Sequence, residues 1–133
     1  MVKDISFTNS KIKSSRRSAE MRGRNAESVA ADFYQQQHFV VLARRLRNAG
    51  GELDLVAASE TVLAFIEVKA RASLSAASEA VTRRQQRRLV AAAELAMADH
   101  PDWHRNETRF DVVLIVAGSV VPLVDAFRPD DPT

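Results

Sequence analysis

Three apolar stretches fill residues 39–70, and only two short polar connections separate them. The first connection ends in Gly50-Gly51, the strongest turn signal in the chain, and the second is about two residues long. Strands with such short connections pair in antiparallel fashion. The segment therefore predicts a three-stranded meander with strands at 39–46, 52–58 and 61–70.

Two helices and two further strands are predicted around this meander. A stripe of apolar residues beginning at Ala26 recurs with helical spacing and predicts a helix over residues 18–37. A segment rich in Ala and Leu before His100-Pro101 predicts a second helix over about 78–99. Nearly continuous apolar character predicts a buried strand at 108–117. Pro122 places the last strand, 120–127, at a sheet edge.

The order helix, three strands, helix, strand and edge strand predicts an α/β fold. We expect a small mixed sheet flanked by helices, within a single domain over residues 18–128. A length of 133 residues suits one domain with a sizeable core. Residues 1–17 are polar and basic and predict a flexible arm, and residues 129–133 predict a frayed tail.

Composition excludes several classes of protein. The absence of cysteine rules out disulfides, thiolate zinc sites and a cysteine nucleophile. No apolar run approaches the ~20 residues of a membrane span, so we expect a cytoplasmic protein without a membrane partner. The formal net charge is only +2, but the isoelectric point is about 9.4 and the arginines are clustered. This clustering indicates a polyanionic partner.

Charged residues interrupt two of the apolar strands. Glu67 and Lys69 are two residues apart and therefore share one face of the third strand. In the second strand, the same alternation places Glu52, Asp54 and Val56 on one face, with Leu53 and Leu55 opposite. If the two strands pair through the turn near Ser59, Asp54 approaches Glu67.

Two carboxylates and a lysine on one sheet face suit metal-assisted hydrolysis. Mg²⁺ prefers oxygen ligands, which Asp54, Glu67 and the backbone carbonyl of Val68 can supply. A bound divalent cation lowers the pKa of a water ligand, and Lys69 can orient that water or stabilise developing charge. A cross-strand salt bridge on a solvated face is the alternative interpretation. The apolar character of both strand faces speaks against it, because it indicates burial.

Three further carboxylates need an interpretation. Glu27 lies at the edge of the apolar stripe of the first helix and can face the sheet, although the helix dipole alone also favours a carboxylate there. Glu52 is either an additional ligand or a charge at the strand end. Asp111, inside an apolar strand, is predicted to be structural and to pair with Arg109 or cap a loop.

Several segments together resemble the YraN-like family of small bacterial proteins. The segments are GRNAESVAADFY, GGELDLVA, AFIEVKAR, AVTRRQQRRL and RFDVVLI, and the resemblance covers roughly residues 22–117. That family is placed in the PD-(D/E)xK, or restriction-endonuclease-like, superfamily and is similar to Holliday junction resolvases. The resemblance implies an αβββαβ core, which agrees with the order of elements predicted from the sequence.

The resemblance also implies roles for individual residues. Glu27, Asp54, Glu67 and Lys69 match the acidic and E-x-K positions, and Gln86 matches a glutamine of the second helix near the site. Leu53 replaces the usual proline, and Gln85 replaces a frequent lysine, which puts a second cation near the substrate in doubt. Gln85 also lies on the apolar stripe of its helix and is expected to point inward. The expected nucleic-acid-binding residues are Arg71, Arg83, Arg84, Arg87 and Arg88.

The main hypothesis is a Mg²⁺- or Mn²⁺-dependent endonuclease that hydrolyses phosphodiester bonds in DNA, including branched or junction DNA. The alternative is a noncatalytic nucleic-acid-binding protein that retains the nuclease fold. A third interpretation is a small scaffold protein in which these charges only pair with one another. A homodimer is left open, since relatives that cleave junctions cut two strands symmetrically.

Overall fold

The computed structural model describes residues 25–73 and 81–129. Helix α1 occupies residues 25–36 of this range and leads into the predicted run of three strands. In chain order, the remaining elements are β1 (Val40–Asn48), β2 (Gly51–Ala58), β3 (Val62–Arg71), α2 (Arg83–Asp99), a 3-10 turn (Pro101–Trp103), β4 (Glu107–Val116) and β5 (Ser119–Phe127). The predicted basic arm, the start of the first helix at 18–24 and residues 130–133 of the tail lie outside the described ranges.

The five strands form one mixed sheet in the order β1-β2-β3-β4-β5. The first three strands form the predicted antiparallel meander. β3 and β4 run parallel, and such a pair requires a crossover, which contains α2. β5 pairs antiparallel with β4 and forms the predicted edge. The predicted α/β fold, a small mixed sheet flanked by helices, is therefore confirmed.

The two helices are associated with separate hydrophobic cores. Around α1, Ala30 and Tyr34 are buried with Leu55, Ile66 and Val113. Around α2, the core combines four residues of the helix with sheet residues; the helical residues are Leu89, Ala92, Ala93 and Ala96. Three of these four are alanines, and their small side chains allow the backbone of α2 to approach the sheet closely.

The turn between β1 and β2 is attached directly to α2. Asn48 donates a hydrogen bond from Nδ2 to the carbonyl of Ala92, and its Oδ1 accepts one from the N–H of Gly50, each 2.9 Å long. A Cβ atom on Gly50 would lie 2.6 Å from the backbone nitrogen of Ala92 and 2.7 Å from the carbonyl carbon of Ala91. Glycine at position 50 is therefore required by backbone-to-backbone contact.

Both helices differ slightly from their predicted bounds. α1 ends at residue 36, and His38 follows with a left-handed backbone, φ 70°. α2 begins at Arg83, because Thr82 and Gln85 form a capping box that fixes the first turn. Residues 78–80 of the predicted second helix lie outside the described ranges. Neither helix within the described ranges is long and apolar enough to cross a membrane.

The predicted alternation of faces along β2 is wrong at its start. Leu53 belongs to the same core as Val56, on the α2 side, whereas Leu55 belongs to the core on the α1 side. The paired register between β2 and β3 ends at Leu55 opposite Ile66. Residues before Leu55 pair only with β1, so the strand is free to twist there and the simple period of two is lost.

Candidate active site

Asp54 lies where β2 separates from β3. Its Oδ2 accepts a hydrogen bond from the backbone N–H of Val68, 2.9 Å away. A side-chain carboxylate thus replaces the backbone acceptor that a continued ladder would supply. Burial raises the pKa of Asp54, and the hydrogen bond from Val68 opposes that rise.

Glu67 is the acidic neighbour of Asp54, since both residues line the same cleft and each carboxylate affects the pKa of the other. Its Oε2 also lies 3.0 Å from Nζ of Lys69, and both of these side chains are mostly buried, with 16% and 19% exposed. Burial, followed by repulsion from the carboxylate of Asp54, raises the pKa of Glu67 to about 7. The fold therefore holds two acidic groups so close together that they disfavour ionisation of both at once.

A cleft of about 190 Å³ gives access to this pair. Its floor includes Asp54 and Glu67, and the start of α2 supplies the facing wall. The full set of lining residues is Gly51, Glu52, Asp54, Glu67, Gln85, Arg88 and Leu89. Because the β1–β2 turn is attached to α2, the same contact positions the floor and the wall.

Glu27 reaches the neighbourhood from α1. Its Oε1 lies 3.6 Å from Nη1 of Arg45 on β1, and only 16% of the Glu27 side chain is exposed. Burial raises the pKa of Glu27, repulsion from Asp54 raises it further, and Arg45 lowers it. The carboxylates of Glu27, Asp54 and Glu67 therefore belong to one electrostatic cluster, at the end of β2 where this strand separates from β3.

The structure brings together four of the five predicted catalytic residues, namely Glu27, Asp54, Glu67 and Lys69. Gln86 does not line the cleft; it lines a second groove with Arg83 and Arg87. The glutamine that lines the cleft is Gln85, half-buried as its position on the apolar stripe predicted. Its side-chain oxygen accepts the N–H of Thr82. For Val68, the structure shows the N–H engaged with Asp54, and its carbonyl as a ligand stays a prediction.

The five predicted nucleic-acid-binding arginines occupy four different places. Arg88 lines the cleft, while Arg83 and Arg87 line the second groove beside Phe127. Arg84 is exposed one helical turn before Arg88. Arg71 lies at the end of β3, where it contributes to a pocket next to α1 and the β4–β5 turn.

Asp111 shows what a structural carboxylate looks like in this fold. It is 1% exposed and pairs with Arg109, as predicted, through two hydrogen bonds of 2.9 Å. It also accepts the hydroxyl of Tyr34 at 2.6 Å and the N–H of Asp125 at 2.9 Å. Four donors saturate this carboxylate, so it has no capacity left for a ligand.

Two residues near the cleft were missed by sequence reasoning. Arg45 pairs with Glu27, and Arg47 pairs with Glu52 at 3.5 Å. Their positions in the sequence could have indicated these pairs. The two arginines are two residues apart on β1, and β1 lies next to the strand that carries Glu52 and Asp54. This signal is weak, since charged residues are also common on exposed edge strands.

No group of three or more His, Cys, Asp or Glu side chains in residues 25–73 and 81–129 is arranged to hold a metal ion. A cation at Asp54 and Glu67 would therefore need further oxygen ligands from the backbone, water or a substrate.

Comparison with known proteins identifies the family. The model described as "Uncharacterised protein family UPF0102" matches residues 26–115, which include every site residue named above. A UPF0102 protein of Acidiphilium cryptum is 61% identical over 117 residues, covering 88% of this chain and 91% of that protein. One from Azorhizobium caulinodans is 49% identical over 100 residues, covering 75% and 76%. One from Granulibacter bethesdensis is 41% identical over 114 residues, covering 85% and 72%. The chain belongs to the UPF0102 family.

Proposed function

We propose that this protein is a metal-dependent endonuclease that hydrolyses phosphodiester bonds in DNA, with Mg²⁺ or Mn²⁺ as cofactor. The observation that carries the proposal is the position of Asp54 and Glu67 together in the lining of an open cleft, with Lys69 paired to Glu67. The resemblance of this constellation to the PD-(D/E)xK nucleases, including those that act on branched DNA, supports it. The UPF0102 relatives add the family but no activity.

The donor set fits a hard divalent cation. Asp54 accepts one backbone N–H and shares its cleft with a second acid, whereas Asp111 accepts four donors. A cation between Asp54 and Glu67 would replace their mutual repulsion with attraction to both. Mg²⁺ usually keeps several water ligands and takes only one or two carboxylates from the protein. Two carboxylates, with the backbone carbonyl of Val68 as a candidate third ligand, match that preference.

In the proposed reaction, each residue of the site would have a separate role. Asp54 and Glu67 hold the cation, and the N–H of Val68 fixes the orientation of the Asp54 carboxylate. Lys69, tied to Glu67 at 3.0 Å, places an ammonium group where it can donate to the attacking water or to a charged phosphate oxygen. The cation supplies a lower pKa for a water ligand and neutralises charge on the phosphate. Glu27, on α1, assists as a third carboxylate in the neighbourhood of Asp54.

The arginines of α2 supply binding to the sugar–phosphate backbone. Arg83, Arg84, Arg87 and Arg88 form no ion pair with any described carboxylate, and three of them lie beside a cleft or groove. Arginines that face solvent without a partner are available to phosphate oxygens, and such contacts make affinity depend on salt. The same observation favours the second candidate function, a nucleic-acid-binding protein without catalysis.

The test is a cleavage assay with four labelled DNA substrates, namely branched, flapped, single-stranded and duplex. Wild-type protein is incubated with Mg²⁺, with Mn²⁺ and with EDTA, beside Asp54→Ala and Glu67→Ala. Glu60→Gln, at an exposed position in the turn between β2 and β3, is the matched control. Metal-dependent cleavage that both site variants lose and the control keeps supports the endonuclease. Binding without cleavage of any of the four substrates would support the noncatalytic alternative and refute the enzyme.

A further inference from the structure

Each acidic neighbour of Asp54 has its own basic partner. Lys69 pairs with Glu67, and two arginines of β1 pair with the remaining acids. The three distances are 3.0 Å for Lys69–Glu67, 3.6 Å for Arg45–Glu27 and 3.5 Å for Arg47–Glu52. Asp54 itself forms no such pair among the described residues. The site is therefore a central carboxylate surrounded by acid–base pairs.

The three pairs differ in how readily they can separate. Lys69–Glu67 is short, and both side chains are mostly buried. Arg45 is 49% exposed and Arg47 is 77% exposed, and their pairs are longer. Exposed ion pairs contribute little to stability because water competes well for both partners. Arg47 can therefore leave Glu52 at small cost. Arg45 can leave Glu27, which is only 16% exposed, where another cation replaces its charge. Lys69 stays in place beside Glu67.

The backbone of β1 places both arginines next to the part of β2 that lines the cleft. Arg47 lies directly opposite Glu52 in the ladder, and the same register puts Arg45 opposite Asp54. Arg45 has a left-handed backbone with φ 50°, a conformation that is uncommon for a residue with a large side chain and carries strain. Arg88 lines the same cleft from α2. Arg88 therefore lines the cleft directly, and Arg47 reaches its edge through the pair with the lining residue Glu52.

We propose that Arg45 and Arg47 are phosphate-binding residues that exchange Glu27 and Glu52 for the nucleic-acid backbone once a divalent cation occupies the site. The inference rests on the proposed function. A cation attracts the nearby carboxylates and weakens their hold on the guanidinium groups. The freed guanidinium groups present planar pairs of donors that match phosphate oxygens. Binding of the cation and binding of DNA then favour each other through these two arginines.

The experiment measures DNA affinity by fluorescence anisotropy, with Ca²⁺ or with EDTA. Ca²⁺ takes the same class of oxygen ligands as Mg²⁺ and serves as the probe cation. The variants are Arg45→Ala/Arg47→Ala and, for comparison, Arg83→Ala/Arg87→Ala. With Ca²⁺, the β1 variant should bind duplex and branched DNA about tenfold more weakly, and the slope of log affinity against log salt should fall by about 2. In EDTA it should match the wild type, while the α2 variant is weakened under both conditions.

A second measurement uses the protein alone. Arg45→Ala removes a competitor for Glu27, so Ca²⁺ should bind severalfold more tightly in isothermal titration calorimetry, and Arg45→Lys should restore the wild-type value. Arg47→Ala alone, at a side chain 77% exposed, provides a variant that folds even if the change at Arg45 disturbs β1. A loss of DNA affinity that is equal with Ca²⁺ and EDTA, or no loss in either, would overturn the exchange. Ca²⁺-dependent loss without Mg²⁺-dependent cleavage would support the exchange and refute the proposed hydrolysis.

Discussion

The carboxyl group of Glu67 should make the metal-free protein less stable as the pH rises. Its pKa is about 7 in the folded protein, against an ordinary value of 4.5. Below pH 4.5 the group is protonated in both the folded and the unfolded chain, so its stabilising contribution is fully present. Between 4.5 and about 7 the unfolded chain releases a proton that the folded chain keeps. The free energy of unfolding therefore falls across that interval, and the contribution is lost above it.

The size of this loss follows from the two pKa values. Each pKa unit corresponds to ~1.4 kcal/mol, so the rise from 4.5 to about 7 gives a loss of about 3 kcal/mol. Little of this is screened by solvent, since only 16% of the side chain is exposed. Glu67→Gln keeps the shape and cannot ionise. The Glu67→Gln variant should therefore lose this part of the pH dependence of the unfolding free energy. Loss of the ion pair with Lys69 adds a cost that is the same at both pH values and does not affect the comparison.

Urea denaturation in EDTA, at about pH 5 and about pH 8, measures the difference. Because part of the loss has already occurred at pH 5, the change in unfolding free energy between the two pH values should be about 2.5 kcal/mol less negative in Glu67→Gln than in the wild type. Glu94→Gln is the control, and it should retain the wild-type pH dependence. Mg²⁺ should reverse the loss in the wild type at the higher pH. Equal pH dependence of Glu67→Gln and the wild type would refute the reasoning that Asp54 and burial keep Glu67 protonated.

Two further predictions concern the scaffold. Gly50→Ala places a Cβ 2.6 Å from the backbone of α2 and should cost about 2–3 kcal/mol in urea denaturation. At Gly118, φ is 83° and an added Cβ would meet no atom within 4 Å apart from its chain neighbours, so Gly118→Ala should cost only about 1 kcal/mol. Equal costs for the two variants would contradict the role of the contact with α2. Tyr34→Phe removes the 2.6 Å hydrogen bond to buried Asp111 and should cost about 1.5–3 kcal/mol. It should leave Ca²⁺ binding in calorimetry unchanged, and a weakened affinity would contradict the separation of the two carboxylate sites.

The local sequence pattern was sufficient to predict features that depend on strands adjacent in the chain. The short turn after β2 fixed its register with β3, and the pairing of Leu55 with Ile66 brings Asp54 to Glu67 as predicted. Pro122 identified the edge strand because proline cannot donate to a ladder. These features depend on contacts close together in sequence or on the chemistry of one residue.

Features that the resemblance supplied, or that depend on distant partners, were predicted less well. The resemblance assigned Gln86 to the site, whereas the apolar stripe of α2 indicated that Gln85 points inward, and Gln85 is the one that lines the cleft. Strand alternation cannot anticipate the left-handed backbone of Arg45. The contact between Tyr34 and Asp111 joins residues 77 positions apart, and neither residue signals the other in the sequence.

The contact between Gly50 and α2 has a consequence for the ligands of the cleft. The helix that carries Arg88 meets the hairpin that carries Asp54 through backbone atoms, so the two sides can separate only if the turn itself is distorted. This contact therefore opposes opening and closing of the cleft, so a ligand must adapt its own shape to the cleft. Under the proposed function, a DNA substrate would have to adapt its shape to this cleft, at an energetic cost that depends on the stiffness of the DNA. A nicked, frayed or branched helix is already flexible at one point, so a rigid cleft of this kind would favour such substrates over an intact duplex.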